Sequence, residues 1–204
     1  TQNSNTPRDL YGITFGDNKF MIAGDFGTIL TSTDGVTWPE HDTPVYLGNV
    51  QTAITFEGVT YGNDTFVVVG EKGKIFTVSA DGANVQNQYD TTVWNEQNSG
   101  TGNDLFSVLF ANDTFVTVGS SGTIQTSSDG TTWTSRTSGI SNTLYGVNYS
   151  NSTFVAVGAS GTFLKSTDGT TWTEVNTTNN GSSISSSFNG VTYGGSTFVT
   201  VGPL

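Results

Sequence analysis

The chain of 204 residues contains no cysteine, one histidine, four prolines and six basic residues, and only 11% of it is charged. Without cysteine there is no disulfide framework, no thiolate metal site and no thiol nucleophile, and the compartment stays undecided. The six basic residues stand against 17 acidic ones, for a net charge of −11. Binding to nucleic acid or to an anionic membrane surface rests on clustered Lys and Arg, so neither partner is expected. No apolar run approaches the roughly 20 residues that cross a bilayer, so membrane insertion is not expected either. The single imidazole, His41, sits in Pro39-Glu-His-Asp-Thr-Pro44, a polar stretch between prolines that offers no strand or helix to hold a catalytic or metal-binding group. The chain starts at Thr1 with no basic and apolar leader, which reads as a processed product or an excised segment.

What remains is Thr, Ser, Asn, 26 Gly and 12% aromatics. Disordered chains are poor in aromatics and rich in charge, the reverse of this mixture. β-Branched Thr and Val suit strands, while Gly and Asn suit tight turns, so the fold class is all-β.

The sequence repeats itself. Leu10-Tyr-Gly-Ile-Thr-Phe15 recurs as Phe56-Glu-Gly-Val-Thr-Tyr61, Leu105-Phe-Ser-Val-Leu-Phe110, Leu144-Tyr-Gly-Val-Asn-Tyr149 and Phe188-Asn-Gly-Val-Thr-Tyr193. After each comes a second element, opened by Phe20, Phe66, Phe115, Phe154 and Phe198 and closed by a glycine. The interval matches the ~40–45 residues of a four-stranded propeller blade. The expected architecture is a five-bladed β-propeller of four-stranded antiparallel blades, with residues 1–9 as an N-terminal arm, residues 10–204 as the propeller, and blades over about 10–55, 56–104, 105–143, 144–187 and 188–204. In each unit strand A alternates, with Tyr11, Ile13 and Phe15 on one face and Leu10, Gly12 and Thr14 on the other. A turn such as Gly16-Asp-Asn-Lys19 leads into strand B.

Strand C runs into Ser32-Thr-Asp-Gly-Val-Thr-Trp38, repeated as Ser127-Ser-Asp-Gly-Thr-Thr-Trp133 and Ser166-Thr-Asp-Gly-Thr-Thr-Trp172 and reduced to Ser79-Ala-Asp-Gly82 in unit two. Asp accepts hydrogen bonds from turn amides, Gly takes a positive φ, and Trp covers the sheet, so these residues hold a C to D hairpin. The pattern resembles the Asp-box (BNR-like) repeat of sialidases and related β-propellers, shortened by one residue between Asp and Gly. That resemblance implies structural roles for Asp34, Asp81, Asp129 and Asp168 and packed positions for Trp38, Trp133 and Trp172. Trp94, beyond an Asn- and Gln-rich insertion, is expected out of register. A Ca²⁺ site at these turns would need several more oxygen ligands than one Asp provides, so neither a metal nor a cofactor is expected.

The resemblance does not carry sialidase activity across. Sialidases bind the substrate carboxylate with three arginines, and this chain has only Arg8 and Arg136. A likeness to the propeller factors that assist photosystem II assembly is also partial, since those are longer and use Arg-rich surfaces. Asp9, Glu57 and Asp104, near the starts of strand A, could serve a polysaccharide hydrolase as paired acids, or could cap turns at a channel mouth.

Unit five ends after strand B, so the outer edge of Phe198, Val199, Thr200 and Val201 is left for a partner: the arm of the same chain, the arm of a neighbour, or residues beyond. The expected function is a non-enzymatic extracellular, cell-surface or virion-surface propeller that acts as a structural or assembly module, through self-association or with another structural protein. The alternative is a lectin-like, glycan-binding propeller, and the polysaccharide hydrolase is a more distant one. Asn176 and Asn180, in the linker before unit five, are the candidate glycan acceptors of a secreted protein.

Overall fold

The computed structural model describes residues 4, 6–38, 43–44, 46–47, 50–51, 54–80, 94–179 and 182–203. Asp81, Asn180, His41 and residues 1–3 and 5 of the N-terminal arm lie outside them. The repeated alternation folds into antiparallel sheets whose strands follow chain order. The first blade comprises β1 (Leu10–Gly16), β2 (Lys19–Gly24), β3 (Thr28–Ser32) and β4 (Thr43–Pro44), followed by a short ribbon of β5 (Tyr46–Leu47) and β6 (Val50–Gln51). The second comprises β7 (Phe56–Gly62), β8 (Thr65–Gly70), β9 (Ile75–Ser79) and β10 (Asn95–Gln97). The third has β11 (Leu105–Ala111), β12 (Thr114–Gly119), β13 (Ile124–Ser127) and β14 (Thr134–Arg136). The fourth has β15 (Leu144–Ser150), β16 (Thr153–Gly158), β17 (Phe163–Ser166) and β18 (Thr173–Glu174). A ribbon of β19 (Thr178–Asn179) and β20 (Ser182–Ser183) precedes the fifth blade, which has only β21 (Gly190–Gly194) and β22 (Thr197–Val201). The chain is a β-propeller of five sheets, the last with two strands.

Turn chemistry sets the hairpins. Asp17-Asn18, Asn63-Asp64, Asn112-Asp113 and Asn151-Ser152 each place two residues at φ between 46° and 56°, the left-handed pair that matches the right-handed twist of the flanking strands. Asn and Asp tolerate that region better than other side chains. Lys19 leaves the first of these turns and is buried; its Nζ donates to the Ala80 carbonyl at 3.1 Å and pairs with Asp17 at 3.0 Å. A cation so placed ties the first blade to the outer part of the second.

The expected alternation along strand A fails at its second residue. Pairing shifts between Leu10 and Gly12, Phe56 and Gly58, Leu105 and Ser107, and Leu144 and Gly146. A β-bulge at Tyr11, Glu57, Phe106 and Tyr145 adds one residue to the inner strand. Leu105 therefore shares a face with Val108, and Leu144 with Val147, in the clusters that join neighbouring blades.

Those clusters are the core. Val67, Val69 and Ile75 of one blade pack on Leu105, Val108 and Phe115 of the next, and Val116, Val118 and Ile124 pack in the same way on Leu144, Val147 and Phe154. Inside each blade the phenylalanine of the second strand meets an aromatic of the first, with centroids 4.4–4.9 Å apart. In blades one, three and four it also lies against the tryptophan that follows the third strand, at 6.3–6.5 Å.

The Ser-x-Asp-Gly turns beneath those tryptophans are built as their residue types require. Asp129 Oδ1 accepts the amides of Thr131 and Thr132 at 2.8 Å and the Ser127 hydroxyl at 2.9 Å, while Ser127 Oγ accepts the Gly130 amide. Asp34 and Asp168 repeat the arrangement, and Gly35, Gly130 and Gly169 take φ of 69°, 77° and 73°. The backbone N–H donors hold all three carboxyls well below the usual carboxylate range. Their stabilising contribution is thus present above the ordinary pKa and lost as pH falls through the depressed folded one. The indole N–H groups of Trp133 and Trp172 donate to the carbonyls of Gly130 and Gly169. Trp94 is a correction: it directly precedes β10 as Trp133 precedes β14 and packs against the first core cluster with Tyr61. The insertion before it leaves the register intact, because burying the ring selects the strand start.

One seam differs from the rest. Ile13 and Phe15 on β1 are 61% and 55% exposed, whereas their counterparts Val59, Val108 and Val147 are at most 8% exposed and Tyr61, Phe110 and Tyr149 are half-buried. On β22, Val199 and Val201 are 46% and 65% exposed, whereas Val67, Val69, Val116 and Val118 are fully buried. Among the described residues, the interface that joins each blade to the next is unfilled between the fifth blade and the first.

Candidate functional site

The bulges decide what faces the axis. Tyr11, Glu57, Phe106, Tyr145 and Asn189 form a ring at one end of a central channel, with Ile13, Val59, Val108, Val147 and Val191 two residues deeper. The channel encloses about 850 Å³ and is bordered by all five inner strands. Phe106 and Tyr145 stack across neighbouring blades with centroids 5.6 Å apart. Bulged residues re-aim side chains, and here they turn an aromatic or an acid toward the mouth in four blades.

The same end carries a group of carboxylates. Asp25 Oδ1 accepts the Thr55 hydroxyl at 3.1 Å, Glu71 accepts the Thr55 amide, and Asp104 Oδ1 accepts the Lys72 amide at 2.8 Å. The Asp25 and Asp104 bonds each join one blade to the next linker, while Glu71 holds the residue that precedes its own blade. Glu57, at the centre of the group, has its carboxyl pushed up by burial first and then by repulsion from Glu71, Asp25 and Asp104. Partial desolvation followed by the charges of Asp25 and Asp9 raises the Tyr11 hydroxyl. A raised carboxyl keeps its proton in the native state over a window where the unfolded chain has lost it. Stability therefore falls as pH rises from the ordinary Glu value through the raised one. Glu57→Gln is expected to remove that fall, so its advantage over the parent in urea unfolding should be larger at pH 8 than at pH 4; equal advantages at both pH values would count against the buried charge.

A second cavity opens between the outer parts of blades three and four. It holds about 840 Å³ and is lined by Asn103, Gln125, Arg136, Ser138, Asn142 and Glu174 among others. Gln125 is 2% exposed, and its Oε1 is a buried acceptor without a partner. Leu30, Phe76 and Leu164 stand at the equivalent place in the other blades. Arg136 is tied to Thr126, and Asn142 to Thr162.

Of the residues singled out from sequence, Asp34, Asp129 and Asp168 lie on the exposed rim in their turns, and Trp38 and Trp172 are buried while Trp133 is half-buried. Asn176 is exposed. Phe198 stacks on Tyr193 and faces inward with Thr200, so only Val199 and Val201 present apolar surface. Asp9, Glu57 and Asp104 do sit at one end of the inner strands, but Asp104 is committed to the Lys72 amide. The aromatic ring at the mouth escaped the sequence reading, although its signal, the second position of the repeated strand A motif, was visible.

The arrangement has relatives. Residues 47–183, more than half of the chain, match the model of the DUF6242 beta propeller domain. The chain belongs to that family. No curated protein matches the sequence at a significant level. The family's propeller in this chain is similar to YCF48 from Cyanidioschyzon merolae, with a TM-score of 0.64 at 17% identity over 92% of this chain and 62% of that one. It is similar to YCF48 bound to D1 peptide, with a TM-score of 0.64 at 17% identity over 91% of this chain and 57% of that one. The nidogen/laminin complex contains a further match, with a TM-score of 0.65 at 13% identity over 96% of this chain and 72% of that one. The chain spans about three fifths of the length of the YCF48 structures, and identities this low carry the fold alone.

Proposed function

We propose that this propeller is a non-enzymatic module that binds and assembles with other protein chains at an extracellular, cell or virion surface, with the open fifth blade as its attachment point. The observation that supports this reading is β22, which pairs only with β21 among the described residues and carries two exposed valines. A strand edge so placed invites a further strand. YCF48 with its D1 peptide and nidogen with laminin are propellers found with protein or peptide partners, which favours a protein partner here. The rim turns support the Asp-box resemblance, since Ser, Asp, Gly and Trp each take the role that repeat assigns. A non-catalytic role is favoured by the acids at the channel mouth, because Asp25 and Asp104 hold bonds between one blade and the next linker and Glu71 holds the residue before its own blade.

A peptide carrying Thr123–Trp133, the strand, turn and tryptophan that blade five lacks, is expected to protect alternate backbone amides of Thr197–Val201 in hydrogen exchange. Unchanged exchange at saturating peptide would remove the edge as an attachment point. A glycan-binding reading is favoured by one observation, the unpartnered Gln125 acceptor in the polar cavity of blades three and four. Binding on a glycan array that Gln125→Leu abolishes would support it.

A further inference from the structure

Resting on the assembly reading, we propose that the two unfilled lateral faces are the two halves of one interface, formed head-to-tail with a second copy of this chain. Ile13, Phe15 and Phe20 of one copy meet Gly194, Val199 and Val201 of the next.

The complementarity is written in the closed interfaces. A Cβ added to Gly16 would lie 2.1 Å from Tyr61 Cγ, and one added to Gly62 would lie 2.0 Å from Phe110 Cγ. In blades two and three the aromatic near the end of the inner strand, Tyr61 or Phe110, is thus seated on the glycine of the blade before it; Ala111 and Ser150 hold that place in blades three and four. Gly194 is the corresponding glycine of the fifth blade, and among the described residues nothing lies within 4 Å of where its Cβ would stand. Phe15 is the corresponding aromatic of the first blade, and it is 55% exposed. Each face thus carries the partner that the other lacks, yet among the described residues of one chain both stay open. Val199 and Val201 correspond to Val67 and Val69, which are buried against Val108 and Phe115 of the following blade. Ile13 and Phe20 stand where Val108 and Phe115 stand.

Charge removes the usual obstacle. A chain of net charge −11 repels its own copies, but no Asp, Glu, Lys, Arg or His follows Glu174 in the sequence, so the side chains of the fifth blade bring an uncharged face to the contact. Like charges therefore do not confront one another there, and the desolvated surface is apolar, as stable interfaces require. A contact between unlike faces is heterologous, and repetition gives a closed ring or an open filament according to the rotation it imposes.

The absence of native cysteine makes the test direct. Phe15→Cys and Gly194→Cys chains are prepared separately, mixed and oxidised, with mass measured under non-reducing conditions. A covalent 1:1 dimer is expected from the mixture, with neither variant alone forming it to the same extent. For the unmodified chain, light-scattering mass should rise with concentration, and Phe15→Asp or Val201→Asp should hold it at the monomer mass with unchanged circular dichroism. Mixing those two Asp variants should restore a dimer that grows no further, because one intact head and one intact tail remain. A mixture that stays monomeric would overturn the proposal, as would rapid intramolecular bridging of the double variant Phe15→Cys/Gly194→Cys at high dilution, since the faces would then meet within one chain. Either result leaves peptide capture by the β22 edge standing or failing on its own measurement.

Discussion

Gly62→Ala is expected to lower the stability of the chain by about 3 kcal/mol, while Gly194→Ala, at the same place in the repeat, changes it by less than about 0.5 kcal/mol. The first substitution puts a methyl group 2.0 Å from the Cγ and 2.6 Å from the Cβ of Phe110. Those atoms lie at the root of the side chain, so no rotamer change moves the clash away; the two blades must separate or their backbones must shift. Phe110 also stacks on Phe115 with centroids 4.5 Å apart, so displacing it disturbs the core of its own blade. At Gly194 the added methyl enters open space. Urea unfolding of both variants, followed by tryptophan fluorescence at a concentration where the chain is monomeric, checks the pair. Equal losses would mean that the fifth blade is packed against the first as tightly as the others are against one another.

Removing the indole at Trp172 should cost about 3–5 kcal/mol in Trp172→Ala, the range of large-to-small changes at buried aromatic sites. The ring is 8% exposed, lies 6.4 Å from the Phe154 ring and belongs to the cluster that joins blades three and four. Trp172→Phe should cost only about 1 kcal/mol, the worth of the indole N–H bond to the Gly169 carbonyl that it loses. The comparison separates covering the sheet from pinning the turn. Calorimetry of the two variants measures it, and a Phe variant as damaged as the Ala variant would show that the hydrogen bond, not the buried area, holds the turn.

These two effects share a cause. In this propeller the strand count of a blade matters less than whether its lateral face is covered, because the clusters that exclude water lie between blades. A terminal blade therefore differs from the rest in what it exposes, even where its hairpin is the same. The fifth hairpin keeps its pairing from Gly190 with Val201 to Gly194 with Thr197 and its Tyr193–Phe198 stack, and still leaves Val199 and Val201 in water.

Much of this was readable before any coordinates. A repeat of aromatic, glycine and alternating apolar residues at blade-length intervals determines local geometry, because strand alternation, left-handed Asn-Asp turns and the Ser-x-Asp-Gly hairpin depend only on near neighbours in the chain. The count of sheets and the short last blade follow from the same repeat. Three things did not follow. The bulge at Tyr11, Glu57, Phe106 and Tyr145 reverses which side chains share a face, and it arises from pairing with the next strand, which no single strand encodes. The register of Trp94 survives an insertion because a distant cluster holds the ring. The unfilled seam is a relation between Phe15 and Gly194, nearly the whole chain apart, and only the way the blades are arranged around the axis decides whether such residues meet. Local sequence chose every hairpin here; closure, and what is left for a partner, belongs to long-range packing.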